Sequence, residues 1–124
     1  MKRGRSTGKP TKAEADYIEI VKEGPCIACT VLVERGLLPA WKAQGPSDFH
    51  HLKSGNIRRG HMHGVALCGW HHRGLLDWGY THADMREEYG PSLMDGSRLF
   101  HDTFGSDDEL LARQRELIGM EGAA

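Results

Sequence analysis

The sequence lacks an apolar run long enough to cross a lipid bilayer, so no membrane-spanning segment is expected. It also lacks the apolar stretch that would have to follow the basic residues Lys2, Arg3 and Arg5 in a secretion signal. No internal repeat occurs. From these absences we expect an intracellular protein without a membrane partner.

Cysteine is scarce, and the three residues present cannot all pair into disulfides. Cys26 and Cys29 form a C-x-x-C motif, in which a tight turn points two thiolates at one ion. Cys68 and His71 have the same spacing, and the two pairs complete a Cys₃His set that is typical of a structural zinc site. The alternative for Cys68 is a small buried apolar side chain, which would leave the first pair as half a site.

The chain is also short of apolar surface. With 124 residues, of which 39% are hydrophobic, we expect one domain over residues 11–124 that buries too little apolar surface to be comfortably stable alone. Structural zinc supplies about 10–16 kcal/mol of apparent binding free energy, mostly as folding free energy. Residues 1–10 are predicted to be a flexible basic arm, either contacting nucleic acid or forming an inert solvated tail.

The net charge of −1 hides an uneven distribution. Residues 1–73 carry 12 basic and 6 acidic side chains, whereas residues 74–124 carry 4 basic and 11 acidic ones. A basic first half favours a polyanionic partner, because each Lys or Arg that neutralises a phosphate releases counterions. We expect the acidic second half to face away from that partner.

Local patterns predict an α+β fold. A capping box that starts at Thr11 predicts a helix over about Lys12–Lys22, whereas residues 30–45 fit a short helix or an irregular connection equally well. Strand patterns at Asp48–Lys53 and His63–Cys68 predict a hairpin, followed by a helix over Gly69–Trp78. Three more helices are expected at residues 83–89, at 99–104 and after a second capping box at residues 106–109. Trp41, Trp70 and Trp78 are expected to pack in the core or at a hinge around the zinc, and Leu75, Leu76 and Met85 are expected in the core.

Histidine is in clear excess, with eight residues, six of them between His50 and His72. If His71 closes the zinc site, the hairpin and helix bring together four others, namely His50, His51, His63 and His72. Imidazole is the commonest metal ligand and the commonest general base near neutral pH, so this group fits metal-assisted phosphodiester hydrolysis. The alternative is that the first two are ordinary strand residues on opposite faces. His61 fits a surface or a site position, and His82 and His101 are expected to be structural.

From about Cys26 to Trp78 the sequence resembles the HNH, or ββα-metal, nucleases, and in particular the small phage recombination-enhancement nucleases that act with the RecA recombinase. The matching segments are Asp48–Leu52, His63–Cys68 and Cys68–Gly74, in family order. The resemblance implies a zinc-stabilised, treble-clef-like ββα-metal core over about residues 48–78, with a helical part over about 83–120.

By position, the resemblance makes His50 and His72 the ligands of a catalytic metal and His51 the general base. His63 stands where the family has an asparagine that usually braces the base, so bracing, metal binding and phosphate binding all stay open for it. His71 replaces a cysteine that is common in the second zinc pair, and either residue is an acceptable ligand.

The implied activity is hydrolysis of DNA by a phage or prophage protein, with a RecA-type filament as partner. Mg²⁺ or Mn²⁺ is the expected catalytic ion, and Zn²⁺ also suits imidazole ligands. Arg58, Arg59 and Arg73 flank the histidines and are expected to bind phosphate, with a solvated loop as the alternative for the first two. Two other functions stay open, a non-catalytic zinc module that binds DNA or protein and a phage accessory protein whose acidic C-terminal helix docks a partner.

Overall fold

The computed structural model describes residues 9–54 and 57–119, and for residues 54, 57 and 58 the backbone alone. Within these ranges the fold is α+β, with six α-helices and two separate two-stranded antiparallel sheets. The helices are α1 (Lys12–Glu23), α2 (Ile27–Glu34), α3 (Gly69–Arg73), α4 (His82–Tyr89), α5 (Ser97–Phe104) and α6 (Asp107–Leu117). The strands are β1 (Asp48–His51), β2 (Lys53–Ser54), β3 (Ile57–Arg58) and β4 (Gly64–Leu67). Most of the predicted basic arm, residues 1–8, lies outside the described residues.

Helix α1 begins where the capping box predicts. Thr11 Oγ1 accepts a hydrogen bond from the Glu14 N–H at 3.2 Å, and Glu14 Oε1 accepts one from the Thr11 N–H at 2.9 Å. Such a cap stabilises a helix by about 1 kcal/mol. The buried side chains on α1 are Tyr17 and Val21, and the Tyr17 hydroxyl donates to the Gly64 carbonyl at 2.8 Å. Helix α1 therefore covers one face of the pair β1–β4.

The predicted hairpin is present as the antiparallel pair β1–β4, in a register that places His51 opposite Gly64. A Cβ atom on Gly64 would lie 2.1 Å from the ring of Phe49, so the glycine leaves room for that ring. The Phe49 ring in turn packs edge-on against Tyr17, with 5.9 Å between the ring centroids. Part of the segment predicted as a loop pairs as the short hairpin β2–β3.

Helix α3 is shorter than the predicted helix over Gly69–Trp78. It ends at Gly74, whose φ of 72° lies in the left-handed region that glycine adopts at little cost. The Gly74 N–H donates to the Trp70 carbonyl at 2.8 Å, which closes the last turn. The chain therefore leaves the helical path before it can bury the side chains that follow.

The core predictions based on that longer helix are wrong. The exposed fractions are 49% for Leu75, 51% for Leu76 and 98% for Trp78. Trp41 is also exposed, because it lies on a short 3₁₀ turn, where the Lys42 ammonium lies 5.3 Å from its ring centroid. Trp70 and Met85 are buried as predicted.

The acidic second half packs against the hairpin through helix α6. Gln114 of α6 is buried, and its Oε1 accepts a hydrogen bond from the Ala66 N–H of β4 at 2.9 Å. Asp108 at the start of α6 pairs with Arg59 at 2.6 Å. The main apolar cluster also includes side chains of α2, β4 and α3–α6. The two halves are therefore joined by both apolar packing and ion pairing.

Residues 30–45, which the sequence left open, contain the end of α2 and a 3₁₀ turn, Ala40–Lys42. The three helices predicted in the second half are present as α4, α5 and α6. None of the described helices combines the length and the apolar character that a bilayer crossing requires.

Candidate metal centre and histidine cluster

Two helices begin at cysteines, because Cys26 caps α2 and Cys68 caps α3. The Cys29 N–H donates to Cys26 Sγ at 3.4 Å, and the His71 N–H donates to Cys68 Sγ at 3.5 Å. The two pairs therefore have the same local geometry, as their equal spacing predicts. A helix N-terminus also favours negative charge on the capping sulfur.

The four predicted zinc ligands converge on one buried point. The Sγ atoms of Cys26, Cys29 and Cys68 lie 3.5, 3.7 and 3.3 Å from His71 Nδ1. All four ligand atoms lie within 4.8 Å of one another. In a tetrahedral zinc site, Zn–S bonds of about 2.3 Å and a Zn–N bond of about 2.0 Å place sulfur and nitrogen about 3.5 Å apart. The cluster could therefore hold a structural metal such as zinc.

The pKa shifts of the cysteine thiols are also consistent with a cation-binding pocket. Burial raises the pKa of the Cys26 thiol well above its usual range, whereas hydrogen bonds from Cys26 and Cys29 lower the pKa of Cys68. A divalent ion would allow all three sulfurs to ionise, because its charge replaces the water that burial removes.

A backbone carbonyl orients the fourth ligand. His71 Nε2 lies 2.8 Å from the Tyr89 carbonyl oxygen at the end of α4, so Nε2 donates the hydrogen and Nδ1 keeps its lone pair for a metal. The Phe104 ring packs edge-on against the imidazole, with 5.2 Å between the ring centroids. Sequence reasoning missed this contact, because a carbonyl oxygen is present on every residue and carries no sequence signal.

Asp48 on β1 binds two neighbouring side chains of α3. Its Oδ2 accepts hydrogen bonds from His72 Nδ1 at 3.0 Å and from Arg73 Nε at 2.9 Å. Burial raises the pKa of Asp48, but these two hydrogen bonds outweigh burial and hold that pKa below its usual range. A carboxylate acceptor on Nδ1 leaves Nε2 of His72 as the nitrogen that can bind a metal. Asp48 begins one of the motifs that match the family, yet its partners on α3 could not be predicted from the sequence.

His50 shares a face of β1 with Asp48 and packs against His72, with ring centroids 5.2 Å apart. Burial, together with the neighbouring His72 and His101, lowers the pKa of His50 to about 4. The ring is therefore neutral at pH 7 and retains a lone pair. Two imidazoles from different elements thus lie side by side, as the sequence predicts for a metal site.

A cavity of about 300 Å³ opens beside these histidines. Its lining consists of His50, His51, Lys53, Leu93, Ser97, His101 and Asp107. His101 was expected to be structural and isolated, yet α5 brings it to this cavity. Its Nε2 lies 3.2 Å from Asp107 Oδ1, and its Nδ1 donates to the Gly105 carbonyl at 2.9 Å.

His51 directly follows His50 on β1, and both residues line this cavity. The centroid of the His51 ring lies 4.8 Å from that of Phe49, and its Nε2 lies 3.2 Å from His61 Nδ1. His61, which the sequence left between surface and site, is only 7% exposed. The contact arises because the turn before β4 returns to the end of β1. That return is a tertiary feature without a sequence signal.

His63 lies among basic side chains. Burial, together with the charges of Arg115 and Arg59, lowers its pKa. Among the described residues, the buried Nε atoms of Arg59 and Arg115 have no hydrogen-bond partner. Arg73 is more exposed, at 57% of its side chain, and the side chain of Arg58 lies outside the described part of the structure.

Comparison with known proteins identifies the family to which this chain belongs. A family model described as "Recombination enhancement, RecA-dependent nuclease" matches residues 10–119. No curated protein and no solved structure matches the chain. The matched range includes the whole metal centre and all the histidines described above. The chain therefore belongs to the recombination-enhancement, RecA-dependent nuclease family.

Proposed function

We propose that the chain is an HNH, or ββα-metal, endonuclease that hydrolyses DNA phosphodiester bonds with a divalent metal ion. The observation that carries this proposal is the pair His50–His72, in which β1 and α3 each supply one imidazole and Asp48 binds the second. The order β1, β4, α3 gives the two strands and one helix of such a core. The structural zinc would hold α2 and α3 together behind it.

His50 and His72 are the proposed ligands of the catalytic ion. Two imidazoles leave the other coordination positions to phosphate and water oxygens, which favours Mg²⁺ or Mn²⁺, although Zn²⁺ also accepts such ligands. When bound, the ion stabilises the negative charge that develops on the phosphate and on the leaving oxygen.

His51 is the proposed general base. One proton passes from water to His51, the water oxygen bonds to phosphorus, and the bond from phosphorus to the leaving oxygen breaks with its electron pair on that oxygen. Because Nε2 faces His61, we assign the proton to Nδ1 of His51. A general base of this kind contributes about 10²–10⁴ in rate.

His63 is proposed to complete the catalytic group by contacting the substrate phosphate, because Arg59 and Arg115 are its charged neighbours. Arg58, Arg59 and Arg73 are proposed to bind neighbouring phosphates. Two of them are paired with carboxylates in the structure, Arg59 with Asp108 and Arg73 with Asp48. These two guanidinium groups would bind phosphate through their remaining N–H groups.

The proposed partners are DNA and a RecA filament. The family description motivates the filament, and the basic first half of the chain motivates the DNA. Because a RecA filament assembles inside the cell, we infer an intracellular site of action, in a phage or prophage setting.

The direct test incubates the purified chain with single-stranded and duplex DNA, with Mg²⁺ or Mn²⁺, and with or without RecA filaments. We expect metal-dependent cleavage that requires or is enhanced by the filament, and that His51→Ala abolishes while zinc content and fold persist. His82→Ala is the matched control, because His82 is half-exposed and pairs with Asp95 away from the cluster. Cleavage by His51→Ala at the wild-type rate would contradict the proposal and favour a non-catalytic zinc module.

A further inference from the structure

We propose that His61 is the positioning residue for His51, a role that rests on the proposed function of His51 as general base. The contact is between His51 Nε2 and His61 Nδ1, at 3.2 Å. The two rings meet edge to face, with centroids 5.3 Å apart and an interplanar angle of 69°. A bond between two ring nitrogens in this geometry constrains both the orientation and the tautomer of His51.

Two backbone hydrogen bonds position the turn that carries His61. The His63 N–H donates to the Gly60 carbonyl at 3.2 Å, which closes the turn that carries His61. The Leu52 N–H donates to the His63 carbonyl at 2.9 Å, and Leu52 is 1% exposed. The turn is thereby attached to the residue that directly follows His51, which places the two imidazoles side by side.

The neighbouring histidine of the same turn has different surroundings. The charges that act on His63 are those of Arg115, Arg59 and Asp108. His61 faces His51 and is only 7% exposed. His61 and His63, which are two residues apart, are therefore assigned different roles. His61 orients the base, and His63 lies among the phosphate-binding candidates.

The tautomers follow from the direction of proton transfer. If His51 accepts the proton from water at Nδ1, its Nε2 must already carry hydrogen and donate it to His61 Nδ1. His61 then carries its own hydrogen on Nε2. After the transfer, the His51 imidazolium has hydrogen on both nitrogens, and the same bond to His61 stabilises the new charge. His61 itself neither gains nor loses a proton.

The test compares two polar replacements of equal character. The side-chain oxygen of an asparagine can occupy roughly the position of His61 Nδ1, whereas glutamine carries its oxygen one carbon further out. We expect His61→Asn to retain most of the wild-type kcat and His61→Gln to lose about 10–100-fold, the usual cost of removing a partner that orients a functional histidine. KM for DNA should stay within about twofold in both. His61→Leu, which has no acceptor, should resemble His61→Gln.

Zinc content and circular dichroism establish that each variant is folded, and His82→Leu is the matched surface control. Equal kcat in His61→Asn and His61→Gln would overturn the inference, as would a loss seen in KM alone. Measuring His51→Ala in the same experiment distinguishes failure of the positioning role of His61 from failure of the proposed nuclease function. If His51→Ala is inactive while His61→Gln cleaves at the wild-type rate, the positioning role is wrong and the proposed function stands. If His51→Ala is fully active, the proposed function itself fails.

Discussion

The zinc-ligand cluster and the histidine cluster share helix α3, yet they differ in exposure. Cys26, Cys29, Cys68 and His71 are at most 1% exposed, whereas the side chain of His72 is 27% exposed. Successive residues on a helix point about 100° apart, so His71 and His72 face two different sites. The first site is closed, as structural metal sites are, and the second is partly open to solvent, as the proposed catalytic role requires.

This difference implies an asymmetric dependence. Helix α3 has only five residues, which is too short to be stable alone, so its position depends on its packing and on the Cys₃His cluster, which could hold a metal. Loss of the buried cluster should therefore displace His72. Loss of a residue in the open cluster should leave the buried one intact. Four predictions test this asymmetry, in order of decreasing effect.

Replacing Cys29 with alanine should abolish both folding and activity. The variant leaves three ligands for the ion and puts at risk the roughly 10–16 kcal/mol that structural zinc contributes. Metal content by mass spectrometry and ellipticity before and after chelation measure the effect. If a zinc-free chain had native ellipticity and activity, the metal would have no structural role. The histidine cluster would then not depend on the Cys₃His cluster.

Replacing His72 with alanine should slow cleavage by about 10²-fold or more while Tm and zinc content change little. The side chain is a proposed ligand of the catalytic ion, whose contribution to the transition state is several kcal/mol. Excess Mn²⁺ should partly restore this variant but not His51→Ala, because only the former has a weakened ion site. Identical responses of both variants to Mn²⁺ would argue against separate roles.

Replacing Asp48 with asparagine should weaken activation by the catalytic metal about 10–100-fold, because a carboxylate that orients a metal-binding histidine contributes that much to affinity. The expected result is a higher Mn²⁺ concentration at half-maximal rate, with a near-normal rate at saturation. The amide would still bind the neighbours, but it lacks the charge that pairs with Arg73. An unchanged metal titration would reduce Asp48 to a structural role.

Deleting residues 1–10 should have the smallest effect, on DNA affinity alone. The deletion removes four basic side chains, namely Lys2, Arg3, Arg5 and Lys9. The slope of log affinity against log salt should fall by up to about 0.9 for each phosphate of duplex DNA that these side chains neutralise. The folded domain should keep its zinc and its Tm. An unchanged slope would show that residues 1–10 form an inert solvated tail that does not contact DNA.

The buried cluster was the more predictable of the two regions, because local spacing encodes it. Each pair, Cys26–Cys29 and Cys68–His71, bends two ligands to one side within a single turn, and a tetrahedral ion then requires the pairs to meet. The helix starts at Thr11 and Ser106 were predictable for the same reason, since a capping box acts over three residues. Structural features that span only a few consecutive residues can be predicted without knowing the tertiary fold.

The open cluster depends on contacts that are distant in sequence. The sequence predicted that His50, His51, His63 and His72 would converge. The structure brings His50 beside His72, whereas His51 contacts His61 and His63 lies near Arg59 and Arg115. The sequence did not identify His61 as the neighbour of His51, since that contact depends on how a turn folds back onto a strand end. Nor did it bring His101 to the cavity, because α5 reaches it through packing on the core around the Cys₃His cluster.

By itself, therefore, the sequence determined the zinc ligands, the capped helices, the hairpin and the histidine-rich character of the site, all of which follow from periodicity and short-range spacing. The tertiary structure alone decided that Leu75 and Trp78 are exposed, that Asp48 binds His72, and that acidic α6 lies against the hairpin. The physical reason is that burial and pairing are properties of surfaces brought together by the whole fold. The local sequence around a charged or apolar side chain does not specify which distant surface that side chain will contact.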